Sequence, residues 1–209
     1  MFRSIQFLAA VISAISLSSC AYEAKVASTP AYDTVTSFGS KLPGRWQIVA
    51  DAGALNAVVK PETELCSAHE YPLDFTQGFA GSVNSTLANL VEQSEPAEQS
   101  SPSKSARGII VVRGESIEGH LKATPGMFAA SISADVTIAA SVAVDGHSGR
   151  LFGKTLEAHG SAQGPAGFAC GNGSQILRTA AEKAQKSLSR KIGEEIANSE
   201  RVRAAAGRT

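Results

Sequence analysis

Aromatic surface and charge imbalance are both scarce in this chain. Its 209 residues hold one tryptophan, and aromatics make up 6%, too little for the stacking platforms that bind single-stranded nucleic acid. Lys and Arg number 19 and so do Asp and Glu, so the basic excess that neutralises phosphate backbones is missing and no nucleic-acid partner is expected. No apolar run reaches the roughly 20 residues that a membrane-spanning helix needs. Catalytic frames are missing too. His69, His120, His147 and His159 share no i,i+4 or H-x-H spacing and no H-E-x-x-H motif; an enzyme would need one of them to meet a carboxylate in a cleft. Gly149-Arg150-Leu151-Phe152-Gly153-Lys154-Thr155 sets three residues between its glycines where a phosphate cradle has four. Gly146-His147-Ser148-Gly149 lacks the G-x-S-x-G frame of a nucleophile elbow. The chain is therefore read as a non-enzyme, with no catalytic, cofactor or metal residue assigned.

What the chain does have begins at its start. Arg3 precedes Phe7-Leu8-Ala9-Ala10-Val11-Ile12, and the apolar stretch continues through Ile15 to Leu17, about a dozen residues, the length of an export-signal core. Leu17-Ser18-Ser19-Cys20 follows at once and resembles the lipobox of bacterial lipoproteins, an aliphatic residue and two small ones before a cysteine. That resemblance implies cleavage after Ser19 and acylation of Cys20. It also implies the periplasmic face of the outer membrane as destination, because Ala21 stands where an inner-membrane retention signal would have Asp. Several acyl chains would anchor the protein stably, where one alone binds only marginally.

With Cys20 given to lipid, Cys66 and Cys170 remain as a pair in an oxidising compartment and are expected to be bonded. The bridge would bring the segment before the first helix beside the segment before the last one. A metal site is the alternative, since Cys66-Ser67-Ala68-His69 has C-x-x-H spacing.

Beyond the signal at 1–19, residues 20–41 read as a lipidated tether rich in Ala, Ser and Thr. A periplasmic domain is expected over 42–203, and 204–209 as a flexible tail. Hydrophobic residues make up 43% of the chain, enough to fill one core. Trp46 to Ala50 predicts a strand, and Leu55 to Val59 a second, shorter one. Cys66 to Asp74 reads as a loop, with Asp74 or Thr76 capping the helix that follows. Phe79, Val83, Leu87, Leu90 and Val91 fall on one side of that helix. Residues 94–107 are polar and small, and read as a disordered loop. Gly108 to Val112 predicts a strand buried on both faces. From Ser131 to Val144 the even positions are apolar, from Ile132 onward, which predicts a long half-buried strand. Asp145 to Gly149 turns it into an antiparallel return over Leu151 to Ala158, and a glycine-rich loop then holds Cys170. Ser174 is the expected cap of a final amphipathic helix carrying Leu177, Ala181, Ala184, Leu188, Ile192 and Ile196 on one face. Arg201, Arg203 and Arg208 suit its negative end as solvated cations.

The expected fold is α+β, a single mostly antiparallel sheet with two helices packed on one face. From Ile132 onward, the long strand, the Asp145-Gly146-His147-Ser148-Gly149-Arg150 turn, the return strand and the helix opened by Ala180-Ala181-Glu182-Lys183-Ala184 resemble the curli-secretion-type and transport-auxiliary assembly lipoproteins. The resemblance implies an accessory protein of the cell envelope, held to the membrane by lipid and docking a protein partner. The alternative is a lipid- or small-ligand-binding lipoprotein with an apolar pocket lined by Val136, Ile138 and Leu188.

Overall fold

The computed structural model describes residues 22–97, 103–127 and 129–207. The expected export signal at 1–19, Cys20 and Arg208 lie outside the described residues, as does the 98–102 part of the expected loop.

Eight strands and three α-helices follow in the order β1 (Ala24–Lys25), β2 (Leu42–Asp51), β3 (Asn56–Val59), β4 (Tyr71–Asp74), α1 (Thr76–Leu90), β5 (Val91–Pro96), β6 (Gly108–Thr124), β7 (Ser131–Gly146), β8 (Gly149–Pro165), α2 (Gly173–Ala197) and α3 (Glu200–Ala206) among the described residues. The fold is built on two mixed sheets, ordered β1-β4-β3 and β5-β2-β6-β7-β8. This corrects the expected single antiparallel sheet with two helices. Strand β2 runs parallel to both β5 and β6, and β1 runs parallel to β4. The antiparallel part that the alternation predicted is the β6-β7-β8 meander.

The misread pairing and the misread loop have one cause. Parallel neighbours cannot be joined by a hairpin and need a crossover. The chain leaves β5 on one side of β2 and re-enters as β6 on the other, and the described residues 103–107 lie over the outer face of β2. Ala97 N donates to Ile48 O, Ser103 N to the Gln47 side chain at 2.7 Å, and Arg107 N to Arg45 O at 2.7 Å. Residues 91–96 are strand and Ala106 is buried, so the disorder expected over 94–107 is corrected at both ends of that range. The crossing chain also accounts for Ile109, which points to the outer face yet is fully buried.

The inner face of the large sheet holds the core. Every even residue of β7 from Ile132 to Val144 is buried, and β6 and β8 place Leu121, Ala123, Leu156 and Ala158 beside them. α1 covers this face with Phe79, Val83 and Leu87, and α2 with Leu177, Ala181, Ala184, Leu188 and Ile192. Gly160 lets α2 approach β8, since a Cβ there would stand 2.3 Å from Ala180 O. Trp46 is buried with its indole N–H donating to Pro43 O at 3.1 Å. Smaller corrections concern boundaries. The expected 66–74 loop contains β4, α2 opens after Asn172 with Ser174 inside its first turn, and the expected tail contributes residues 204–206 to α3, with Ala206 buried.

Candidate functional site

The expected tether is, from Tyr22 on, part of the domain. Residues 22–40 form a strap in the groove between α1 and α2, with Ala24, Val26 and Ala31 buried. Past Val26 the strap has no partner strand, and it must find other acceptors and donors for its backbone, because an unpaired buried amide is costly. Two hydroxyls one turn apart on α1 supply them: Ser82 Oγ accepts from Thr29 N at 2.7 Å and Thr86 Oγ1 from Ala31 N at 2.9 Å. From α2, Gln185 Nε2 donates to Ala27 O at 2.8 Å. Ser82, Thr86 and Gln185 are all buried. Gly78 makes room, since a Cβ there would stand 2.3 Å from Val26 O. Further along, Val35 N donates to Glu194 and Ser37 N to Asn198 at 2.7 Å.

The strap thus runs from one end of α2 to the other, and it ends under Arg203. This guanidinium donates to Ala197 O at 2.7 Å and Ser40 O at 2.9 Å, and lies 4.4 Å from the centre of the Phe38 ring. Burial lowers its pKa from the usual arginine value. Arg203 is therefore a clasp closing the strap on the helix terminus, where the sequence suggested a solvated cation; Arg201 is exposed.

The strap begins at the disulfide. Cys66 and Cys170 are joined with their Cα atoms 5.8 Å apart, which sets the loop before β4 against the short 3-10 turn Phe168–Cys170 that precedes α2. The bridge also takes the sulfur that the C-x-x-H metal alternative required. Tyr22 N donates to Glu70 O at 3.1 Å, and the Tyr22 ring stacks 6.1 Å from that of Tyr71 and lies 5.4 Å from His69. Tyr71 donates its hydroxyl to Cys170 O at 3.0 Å. Burial, and then the neighbouring Tyr22, push the Tyr71 phenol above its usual pKa.

The remaining histidines are spread over open surface. His120 Nδ1 lies 2.6 Å from Glu62 Oε1 and His159 Nε2 lies 3.5 Å from Asp135 Oδ1, each pair more than half exposed. Carboxylates are met, but on exposed surface rather than in a cleft. His147 Nε2 bonds the Ala106 carbonyl at 2.7 Å and helps to hold the crossing chain. No group of three or more His, Cys, Asp or Glu suited to a metal occurs among the described residues. The P-loop look-alike is antiparallel strand within β8, and Arg150 pairs with Asp145 across the turn.

A groove of about 650 Å³ runs between β8 and the C-terminal half of α2, bordered by Phe152, Leu156 and the Lys154–Glu195 ion pair at 2.7 Å. Val136, Ile138 and Leu188 do not line it; they are packed in the core. On the outer face of the large sheet β7 presents Ser131, Ser133, Asp135, Thr137, Ala139, Ser141 and Ala143.

A scan against protein-family models finds no match, and neither does a search of curated proteins. Among solved structures, the chain is similar to a Xanthomonas campestris protein of the DUF330 family at 8% identity and TM-score 0.41, covering 83% of this chain and 92% of that one. A minor lipoprotein from Acinetobacter baumannii matches at 10% identity and TM-score 0.35, covering 75% and 92%. A Helicobacter pylori protein described as a neuraminyllactose-binding hemagglutinin homolog matches at 6% identity and TM-score 0.45, covering 85% and 96%. Likenesses at this level carry no argument about activity, ligand or partner.

Proposed function

We propose that this chain is a non-enzymatic accessory lipoprotein of the bacterial envelope, acylated at Cys20, held on the periplasmic face of the outer membrane and docking a protein partner through the outer face of its large sheet. The observation that carries the reading is the course of the strap: Cys20 stands two residues before Tyr22, which is already bonded into the disulfide-closed end of the domain. Two residues of extended chain reach at most about 7 Å, so a lipid on Cys20 would hold the domain close to the bilayer. The Cys66–Cys170 bond agrees with an oxidising compartment. No helix among the described residues is long and apolar enough to cross a membrane. Within the lipoproteins, the turn and helix of the C-terminal third favour the curli-secretion-type and transport-auxiliary group.

The test has two arms. The mature N-terminal peptide from membranes should carry the mass of an acylated cysteine, and a Cys20→Ala chain should lose it. Photo-cross-linkers placed at Thr137 and Ser141 should trap the same envelope protein in cells. An unmodified Cys20 refutes the anchor, and no adduct at either position refutes the docking face.

A further inference from the structure

Two large apolar side chains stand almost bare at the disulfide-closed end, and a third is partly exposed. Phe168 is 98% exposed, Met127 92% and Leu65 39%. They come from three segments far apart in sequence that the fold brings to one place. Ala166 N donates to Ala130 O at 2.8 Å, tying the Phe168 turn to the turn between β6 and β7 that carries Met127. The disulfide ties the same turn to the residue after Leu65. Thr63, two residues before Leu65, bonds Ala123 O at 3.0 Å. Phe168 points outward because its turn is built that way: Gly167, Ala169 and Cys170 all have positive φ, at 72°, 46° and 61°.

Charge is withheld from the two segments that carry Phe168 and Met127. Between Glu157 and Arg178 the sequence holds no Asp, Glu, Lys or Arg, and between Lys122 and Asp135 it holds none either. The third segment, which carries Leu65, is the charged one, with Lys60, Glu62, Glu64 and Glu70. Isolated exposed apolar residues are ordinary on protein surfaces, but Phe168 and Met127 standing together on uncharged loops, with a candidate acyl-cysteine two residues before Tyr22, have a natural cover. Apolar and small uncharged groups enter the boundary between lipid headgroups and chains readily, whereas buried charges there are expensive.

We propose that this end, with Phe168, Met127 and Leu65 as its contact residues, is a lipid-contacting surface that rests in the phospholipid interface and fixes the orientation of the domain. The proposal rests on the reading of Cys20 as the anchor. The acyl chains hold the protein at the membrane, and the apolar end stops it from tumbling there, so that the long axis of α2 rises from the bilayer and the sheet face stays clear of it.

The test uses the full acylated chain, purified and reconstituted into vesicles of phosphatidylethanolamine and phosphatidylglycerol. Phe168→Trp, Met127→Trp and Val35→Trp are each compared with the unsubstituted chain, whose buried Trp46 supplies a constant background. Val35 is exposed beside Asn198, near the far end of α2, and 25 residues of helix put that end about 38 Å away. Tryptophan at 168 and 127 should be quenched by chain-brominated lipids, at a depth of about 5–10 Å into the headgroup boundary, and tryptophan at 35 should not. If all three go unquenched in acylated protein, the lipid contact is wrong and the anchor stands. If mass spectrometry finds Cys20 unacylated, anchor and lipid contact both fall. Shielding at 168 and 127 that appears only when an envelope protein is co-reconstituted would make this end a protein-docking surface and overturn the proposal.

Discussion

The end of the domain that carries the disulfide and the end that carries Arg203 are held by different chemistry. At the first, a covalent bond, a buried tyrosine and residues at positive φ on both sides of the disulfide fix loops of which those at 123–130 and 158–172 contain no Asp, Glu, Lys or Arg. At the second, the work is ionic and polar: the Arg203 clasp, the Lys154–Glu195 pair, and Glu194 and Asn198 receiving strap amides. Charged groups keep their stabilising partners only while water or protein solvates them, so the second end is suited to the aqueous side and the first tolerates a low-dielectric neighbour. The strap joins the two ends and gives the difference a direction, since it starts at the disulfide-closed one.

That contrast can be broken at each end in turn. The largest effect is expected for Cys170→Ser. Opening a loop of 104 residues removes about 4.7 kcal/mol in the chain-entropy model, and denaturant unfolding without reductant should show it. Amide exchange should rise first around 66–71 and 166–172, while the last turns of α2 change least. Gly78→Ala comes next, because its methyl meets the Val26 carbonyl. Relief requires the strap or α1 to shift, at a cost of about 2 kcal/mol. Exchange should increase over residues 24–31 with β7 unaffected.

Arg203→Ala tests the other end. Two hydrogen bonds to carbonyls and the contact over Phe38 are lost together, about 1–2 kcal/mol. Arg203→Lys should recover only part of it, because a point charge cannot serve both carbonyls as the planar fork does. The smallest effect concerns Asp74, in neither end. The Thr76 hydroxyl, then the Thr76 amide at 2.8 Å, hold its carboxyl below the usual aspartate pKa. A lowered folded-state pKa adds stability above the unfolded-state value and loses it as pH falls through the folded one. Asp74→Asn should therefore flatten the acid limb of the stability curve and leave the region above about pH 5 with only the small cost of the lost charge.

Much of this was legible from residues alone. Alternation located β7 and its return strand, the 3-4 spacing located α1 and α2, and cysteine parity named the bridged pair, each because a local pattern reports a local face. The parallel pairings of β2 were not legible. Nothing in Leu42–Asp51 distinguishes a central strand with parallel neighbours from an antiparallel one, and the crossing chain at 103–107 is held mainly by backbone bonds rather than by an apolar pattern. The strap was hidden for a similar reason. Its Ala, Ser and Thr residues have the composition of a linker, and the groups that hold it belong to the helices. Ser82 and Thr86, polar and one turn apart beside an apolar stripe, were the available signal that α1 faced a backbone and not only a core. The exposed Phe168 and Met127 gave no signal at all, since exposure is a property of the fold.

The account turns on the strap being welded to the domain with no free tether between lipid and fold. Hydrogen exchange over residues 22–40 of the vesicle-bound, acylated chain tests this most directly. Protection at Thr29 and Ala31 comparable to that of the middle of α1 is the result the account predicts; exchange at the rate of an unstructured peptide from Tyr22 to Ser40 would contradict it.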